Sequence, residues 1–237
     1  MSHVLVIGSA NMDFTVAVPR LPTEGETLTG GAFYVSHGGK GANQAVAARR
    51  LCADVRFVGC VGRDAQGDQI ANQLVAEGIP TDGLIRTGEA ATGVAMIMVD
   101  AKGRNQIAVA SGANLLLLPE LAQRHVALMT RAQVLLCQLE IPVATVHWAL
   151  AAARDQGVLT ILNPAPAQPL PDTLLRLVDC LTPNAGEAET LSGIAVDGPD
   201  TAAQAAQRLL ARGVKRAIVT LGTQGVLACE GTSTVHF

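Results

Sequence analysis

Short, continuous apolar runs alternate along this chain with amphipathic stretches. That alternation restricts the fold more than any other feature. The runs cover residues 4–7, 55–61, 134–139, 158–162, 180–181 and 217–221. Between them, residues 42–51, 68–76, 143–154, 184–191 and 201–211 repeat apolar side chains at helical spacing. A strand that is apolar on both sides of its pleat must be covered on both faces, and intervening helices supply the cover. The expected class is therefore α/β, a three-layer α/β/α sandwich around a mainly parallel sheet. Gly78, Gly157 and Gly213 stand just past three of the helical stretches, where a left-handed residue ends a helix.

Two regions break the rhythm. Residues 13–18 (D-F-T-V-A-V) and 27–35 alternate or carry β-branched and aromatic residues, and Pro19, Pro22 and Gly25 separate them. Residues 92–99, a turn at 100–104 and residues 105–110 form a hairpin signal. These segments, about 13–36 and 92–110, are expected to form a small β-sheet lid inserted in a single α/β domain spanning 1–237. The Pro-rich stretch 163–169 reads as a stiff loop after a strand.

Composition narrows the function. With 49% hydrophobic and 16% charged residues the chain is globular, not disordered. A net charge of −3 and 3% aromatics argue against nucleic acid as a partner. No run approaches the ~18 apolar residues of a membrane span. Residues 1–8 lack a basic leader and read as the first strand. Cys52, Cys60, Cys137, Cys180 and Cys229 form no C-x-x-C. They are expected to be reduced, mostly buried thiols of a cytoplasmic protein. The five histidines show no metal-ligand spacing.

In an open α/β sheet, ligands bind beyond the carboxyl ends of the strands, so motifs placed there carry most weight. Gly8-Ser-Ala-Asn11-Met-Asp13 follows the first strand; Asn11 and Asp13 offer an amide and a carboxylate suited to sugar hydroxyls, or an ordinary polar turn. His37-Gly38-Gly39-Lys40-Gly41-Ala42-Asn43-Gln44 opens the helix 42–51. Its glycines let backbone approach a ligand, free N–H groups are expected at the helix start, and Lys40 and Asn43 add donors. Neither segment is a dinucleotide fingerprint or a Walker A loop. Thr182-Pro-Asn184-Ala-Gly-Glu187 joins a strand to a helix. Asn184 and Glu187 suit either water-mediated Mg²⁺ coordination or a capping box. Thr220-Leu-Gly222-Thr223-Gln-Gly225 admits nucleotide phosphates or is a turn into the strand 226–229. Glu140 closes the run Leu135-Leu-Cys-Gln-Leu-Glu140 at another strand end.

Taken in order, G-S-A-N-M-D, G-G-K-G-A-N-Q-A-V-A-A, T-G-V-A, S-G-A-N, Q-L-E, L-N-P-A-P-A, T-P-N-x-x-E and T-L-G-x-x-G resemble the phosphofructokinase-B type carbohydrate kinases. The long glycine motif and L-N-P-A-P-A are similar to the ribokinase branch rather than to fructokinases or adenosine kinases. The resemblance implies ATP-dependent phosphorylation of D-ribose at its 5-hydroxyl. A non-catalytic ribose-binding protein and a related pentose or nucleoside kinase stand as alternatives.

By the same resemblance, Asn11, Asp13, Gly39, Lys40, Gly41, Asn43 and Glu140 hold the sugar. Asn184, Thr220, Gly222, Thr223 and Gly225 line the ATP site, and Glu187 orders the water shell of Mg²⁺. The lid pairs with a second lid in a homodimer; no nucleic acid or membrane partner is implied. The family's catalytic base is the aspartate of a G-A-G-D motif. No G-A-G-D occurs in these 237 residues. The expectation is that this motif, the adenine-flanking helices and the K⁺ loop lie beyond residue 237, with the domain C-terminally incomplete.

Overall fold

The computed structural model describes residues 3–29 and 31–237. In chain order it contains β1 (His3–Ile7), β2 (Asn11–Val18), β3 (Phe33–Gly38), α1 (Lys40–Arg50), β4 (Asp54–Gly62), α2 (Ala65–Ala76), β5 (Leu84–Thr87), β6 (Gly93–Asp100) and β7 (Asn105–Ala110). There follow α3 (Pro119–Ala122), β8 (Val134–Cys137), α4 (Val143–Asp155), β9 (Leu159–Leu162), α5 (Asp172–Leu175), β10 (Cys180–Leu181), α6 (Ala185–Ser192), α7 (Pro199–Ala211), β11 (Arg216–Thr220), β12 (Val226–Glu230) and β13 (Ser233–His236).

Nine strands form one sheet in the order β13-β12-β11-β10-β9-β8-β1-β4-β5. Every pairing from β11 to β5 is parallel; β12 and β13 run antiparallel at one end. Alternate residues of β1 face opposite layers. Val6 packs with Phe57, Ile70 and Leu74 on the α1/α2 side, while Leu5 and Ile7 pack with Leu135, Val146 and Leu150 on the α4 side. At the far end, Ala202, Ala205 and Ala206 of α7 let that helix lie close on Ala217 and Val219. The three layers are those the apolar runs imply.

Four strands, β3-β2-β6-β7, make a separate small sheet. Here the boundaries differ from the sequence reading. The strand assigned to 27–35 starts at Phe33 and runs on through His37 and Gly38, so those two residues end a strand and do not open a helix. Helix α1 begins at Lys40, two residues earlier than expected. β5 and β13 escape the apolar-run criterion because they are short edge strands with polar or charged members. Gly78, Gly157 and Gly213 do adopt positive φ just past their helices. Cys52 is exposed and itself adopts φ 66°. The other four thiols are buried; burial pushes Cys60 up to about 11 and Cys137 up to about 12, which disfavours the reactive thiolate.

Candidate functional site: a polar cradle at the switch point

From β1 the chain builds toward β4 and β5 on one side and then from β8 to β11 on the other. The strand order therefore reverses between β1 and β8, the place where open α/β sheets form a crevice. Three segments meet there: Gly8–Asp13 after β1, the start of α1, and Gln138–Glu140 after β8.

Glycine makes the meeting possible. Gly39, the residue before α1, has φ 86°, and a Cβ on it would fall 2.7 Å from Ala10 Cα. A Cβ on Gly41 would fall 2.6 Å from Ser9 N. Helix α1 thus rests directly on the backbone that leaves β1. Its first N–H groups are not free, as the sequence had suggested. Lys40 N donates to Glu140 Oε2 at 2.9 Å, Gly41 N to Ser9 Oγ at 3.3 Å, and Ala42 N to Ser9 O at 2.8 Å. Glu140 caps the helix from across the crevice, where a carboxylate also complements the helix dipole. Ser9 Oγ donates to the same carboxylate at 2.6 Å, and Lys40 Nζ lies 3.8 Å from Glu140 Oε1.

Asp13 projects from β2 over Gly38, where any Cβ would lie 2.2 Å from its Oδ1. It is half-buried, and burial together with the nearby Glu140 charge raises its pKa above the usual aspartate value. Asn11 is buried, and its Oδ1 accepts from Asn114 Nδ2 at 2.7 Å. Asn43 stands exposed on the first turn of α1. Asn11, Asp13, Gly39, Lys40, Gly41, Asn43 and Glu140 are thus brought together: two carboxylates, an ammonium and two amides around one crevice.

The remaining candidates line the same sheet edge further along, beyond β10 and β11. Asn184 caps α6 and pairs with Thr220 in an isolated parallel bridge. Thr223 and the positive-φ Gly222 and Gly225 form the exposed turn between β11 and β12. Three to four strand spacings, about 14–19 Å, separate this group from β1.

Glu187 forms the capping box that the sequence also allowed. Its Oε2 accepts from Asn184 N at 2.9 Å and its Oε1 from Asn184 Nδ2 at 3.0 Å, while its own N–H donates to Asn184 Oδ1 at 2.8 Å. This is a complete capping box. With both oxygens engaged, Glu187 does not fit as a direct metal ligand. Among the described residues no three His, Cys, Asp or Glu side chains gather as a metal site, and no helix is long and apolar enough to cross a membrane.

The model of the pfkB family of carbohydrate kinases matches residues 1–237. The chain belongs to that family. It is 42% identical over 221 residues to a ribokinase of Haemophilus influenzae, covering 93% of this chain and 72% of that protein. It is 37% identical over 234 residues to a deoxyribokinase of Salmonella typhi, covering 98% and 76%. Among solved structures, Arabidopsis thaliana ribokinase complexed with ribose and ATP superposes with a TM-score of 0.91 at 33% identity, covering 100% of this chain and 78% of that one.

Three residues of this pfkB-family crevice were not singled out by sequence. Ser9 bridges Glu140 and α1. Asn114 binds Asn11. Gln138, fully buried, donates to Gln44 Oε1 of α1 at 2.6 Å. Each lies inside a quoted motif, but only the fold shows what it touches.

Proposed function

We propose that the chain serves ATP-dependent phosphorylation of D-ribose at the 5-hydroxyl, giving ribose 5-phosphate and ADP, as a cytoplasmic step of ribose catabolism. The observation that carries this reading is the crevice at the β1–β8 switch point, where Asp13 and Glu140 offer acceptors and Asn11, Lys40 and Asn43 offer donors. A polyol needs both kinds of partner, because each hydroxyl donates once and accepts as well. The similarity to a protein whose structure holds ribose and ATP supports the same pairing of ligands here.

In this reading the sugar lies across Asp13, with its 5-hydroxyl directed along the sheet edge toward the β10 and β11 ends. The nucleotide phosphates approach Asn184, Thr220 and the glycine turn at Gly222–Gly225. Mg²⁺ travelling with the phosphates would neutralise their charge, and the chain's own contribution is positioning. The small sheet acts as a lid that excludes water. Its exposed Phe33, Val35 and Met96 share one face of the sheet and make an apolar surface that supports pairing with a second copy.

Asp13 holds the sugar and is not assigned as the base. A second reading is ribose binding without phosphoryl transfer, which the donors and acceptors of the crevice would serve equally well.

The test is ADP formation by the purified chain with Mg²⁺-ATP and, in turn, ribose, 2-deoxyribose, fructose and adenosine, with binding of each sugar measured on the same sample. Ribose-dependent ADP supports the kinase reading. Ribose binding without ADP supports the second. Preference for 2-deoxyribose, fructose or adenosine refutes ribose as the substrate.

A further inference from the structure

Four connections join the small sheet to the main body, and two of them converge at Asn114. β1 passes through Gly8, Ser9 and Ala10 into β2, and β7 ends at Ala110 before the chain returns through Ser111. Asn114 sits between these points in the 3-10 turn Gly112–Leu116 and is 1% exposed. Its Oδ1 accepts from Ala10 N at 2.9 Å. Its Nδ2 donates to Asn11 Oδ1 at 2.7 Å, Ser111 O at 3.0 Å and Ala10 O at 3.3 Å. A third root of the small sheet, Gly93 at the start of β6, lies against the same pair. A Cβ there would fall 2.2 Å from Asn11 Oδ1 and 2.4 Å from Asn114 Nδ2.

We propose that Asn114 is a positioning residue for the crevice: it fixes which end of the Asn11 carboxamide faces the ligand and ties the roots of the small sheet together. The argument is one of polarity. A carboxamide can present its oxygen or its nitrogen, and its neighbours decide which. The Ala10 N–H can only donate, so Asn114 turns its oxygen toward it. Asn114 must then offer Nδ2 to Asn11, which answers with Oδ1. Asn11 Nδ2 has no partner among the described residues, and it is the group left for a ligand. Asn11 is thereby set as a donor beside the acceptor Asp13, a pair matched to adjacent hydroxyls. This part rests on the sugar reading of the site; the tying of the roots does not.

Two measurements separate the parts. The first is amide hydrogen exchange without ligand on the unsubstituted chain and Asn114→Asp. Asn114→Asp keeps an acceptor for Ala10 N and sets an oxygen against Asn11 Oδ1. Exchange at the starts of β2 and β6 should rise about 10-fold, the worth of one hydrogen bond, while α7 is unchanged. Unchanged protection at β2 and β6 overturns the tying role.

The second is a double-mutant cycle on the ribose Kd with Asn114→Asp and Asn11→Ala. Asn114→Asp should weaken binding about 10-fold alone and add nothing in the Asn11→Ala background. Losses that multiply overturn the orienting role. Should Asn114→Asp not fold, Asn114→Ser, which removes the donor to Asn11, replaces it in both measurements. If the unsubstituted chain binds no ribose, the sugar reading and the orienting role fall together, and exchange alone judges the tying role.

Discussion

Replacing Gly41 by alanine adds one methyl group where the start of α1 meets the backbone leaving β1. The new Cβ would lie 2.6 Å from Ser9 N and 2.7 Å from Gly8 C and Ser9 O. All three are backbone atoms at the end of the central strand, so no side chain can swing aside. Reaching an ordinary 3.4 Å contact requires the start of α1 to retreat by about 0.8 Å, the difference from the 2.6 Å approach. That retreat stretches the 2.9 Å bond from Lys40 N to Glu140 beyond hydrogen-bonding range. It also moves Lys40 and Asn43 away from the place proposed for the sugar. Overpacking of this kind costs about 1–3 kcal/mol, a fall in Tm of roughly 2–12 °C for a chain of this size. Losing one or two hydrogen bonds to the ligand should raise the ribose Kd by about 5–150-fold. Gly88→Ala is the control. Its Cβ meets nothing within 4 Å, so stability should be unchanged or rise by about 0.4–1 kcal/mol, with the Kd unaltered. The assay is calorimetric titration with ribose alongside thermal unfolding. An unchanged Kd in Gly41→Ala would refute the claim that the close approach of α1 to β1 builds the sugar site.

Further outcomes are expected. Ribose affinity should fall as pH drops through the raised Asp13 pKa, because the protonated carboxyl accepts less well. Glu140→Gln should shift that midpoint downward, since the Glu140 charge is one cause of the rise; a midpoint that stays put would dismiss the coupling. In stability the sign is opposite: the raised pKa disfavours the folded state above it, and the penalty is relieved on acidification. Glu187→Ala should remove the side-chain half of the capping box and lower Tm by about 2–4 °C, the effect of roughly 1 kcal/mol, which unfolding scans will check. Ser9→Ala removes a 2.6 Å bond to the Glu140 carboxylate, and a Kd that failed to rise would exclude Ser9 from organising the crevice. A thiol reagent should label one cysteine in the native chain and five after denaturation, because only Cys52 is exposed.

Much of the architecture is readable from residue order because the physics is local. Apolar runs such as 4–7 cannot be solvated on either face, and helices such as Val143–Asp155 carry one apolar stripe. The edge strands β5 and β13 are not readable this way; they are held by pairing with a neighbour rather than by their own side chains. Asn11, Asp13, Lys40 and Glu140 stand out as polar residues at strand ends. Their partners do not, since Ser9 meets Glu140 across 131 positions and Asn114 meets Asn11 across 103. Nor does sequence separate a carboxylate that caps a helix from one that is free. Glu140 and Glu187 both proved to be caps, one across the crevice and one within its own turn.

The most direct test of the sugar site is calorimetric titration of the purified chain with D-ribose at neutral pH, repeated on Asp13→Asn. The account predicts saturable binding to the unsubstituted chain, weakened at least about 10-fold when the Asp13 carboxylate becomes an amide, because hydrogen bonds to a charged acceptor contribute about 1.5–3 kcal/mol each. Equal affinity in the two proteins, or no binding to either, would contradict it.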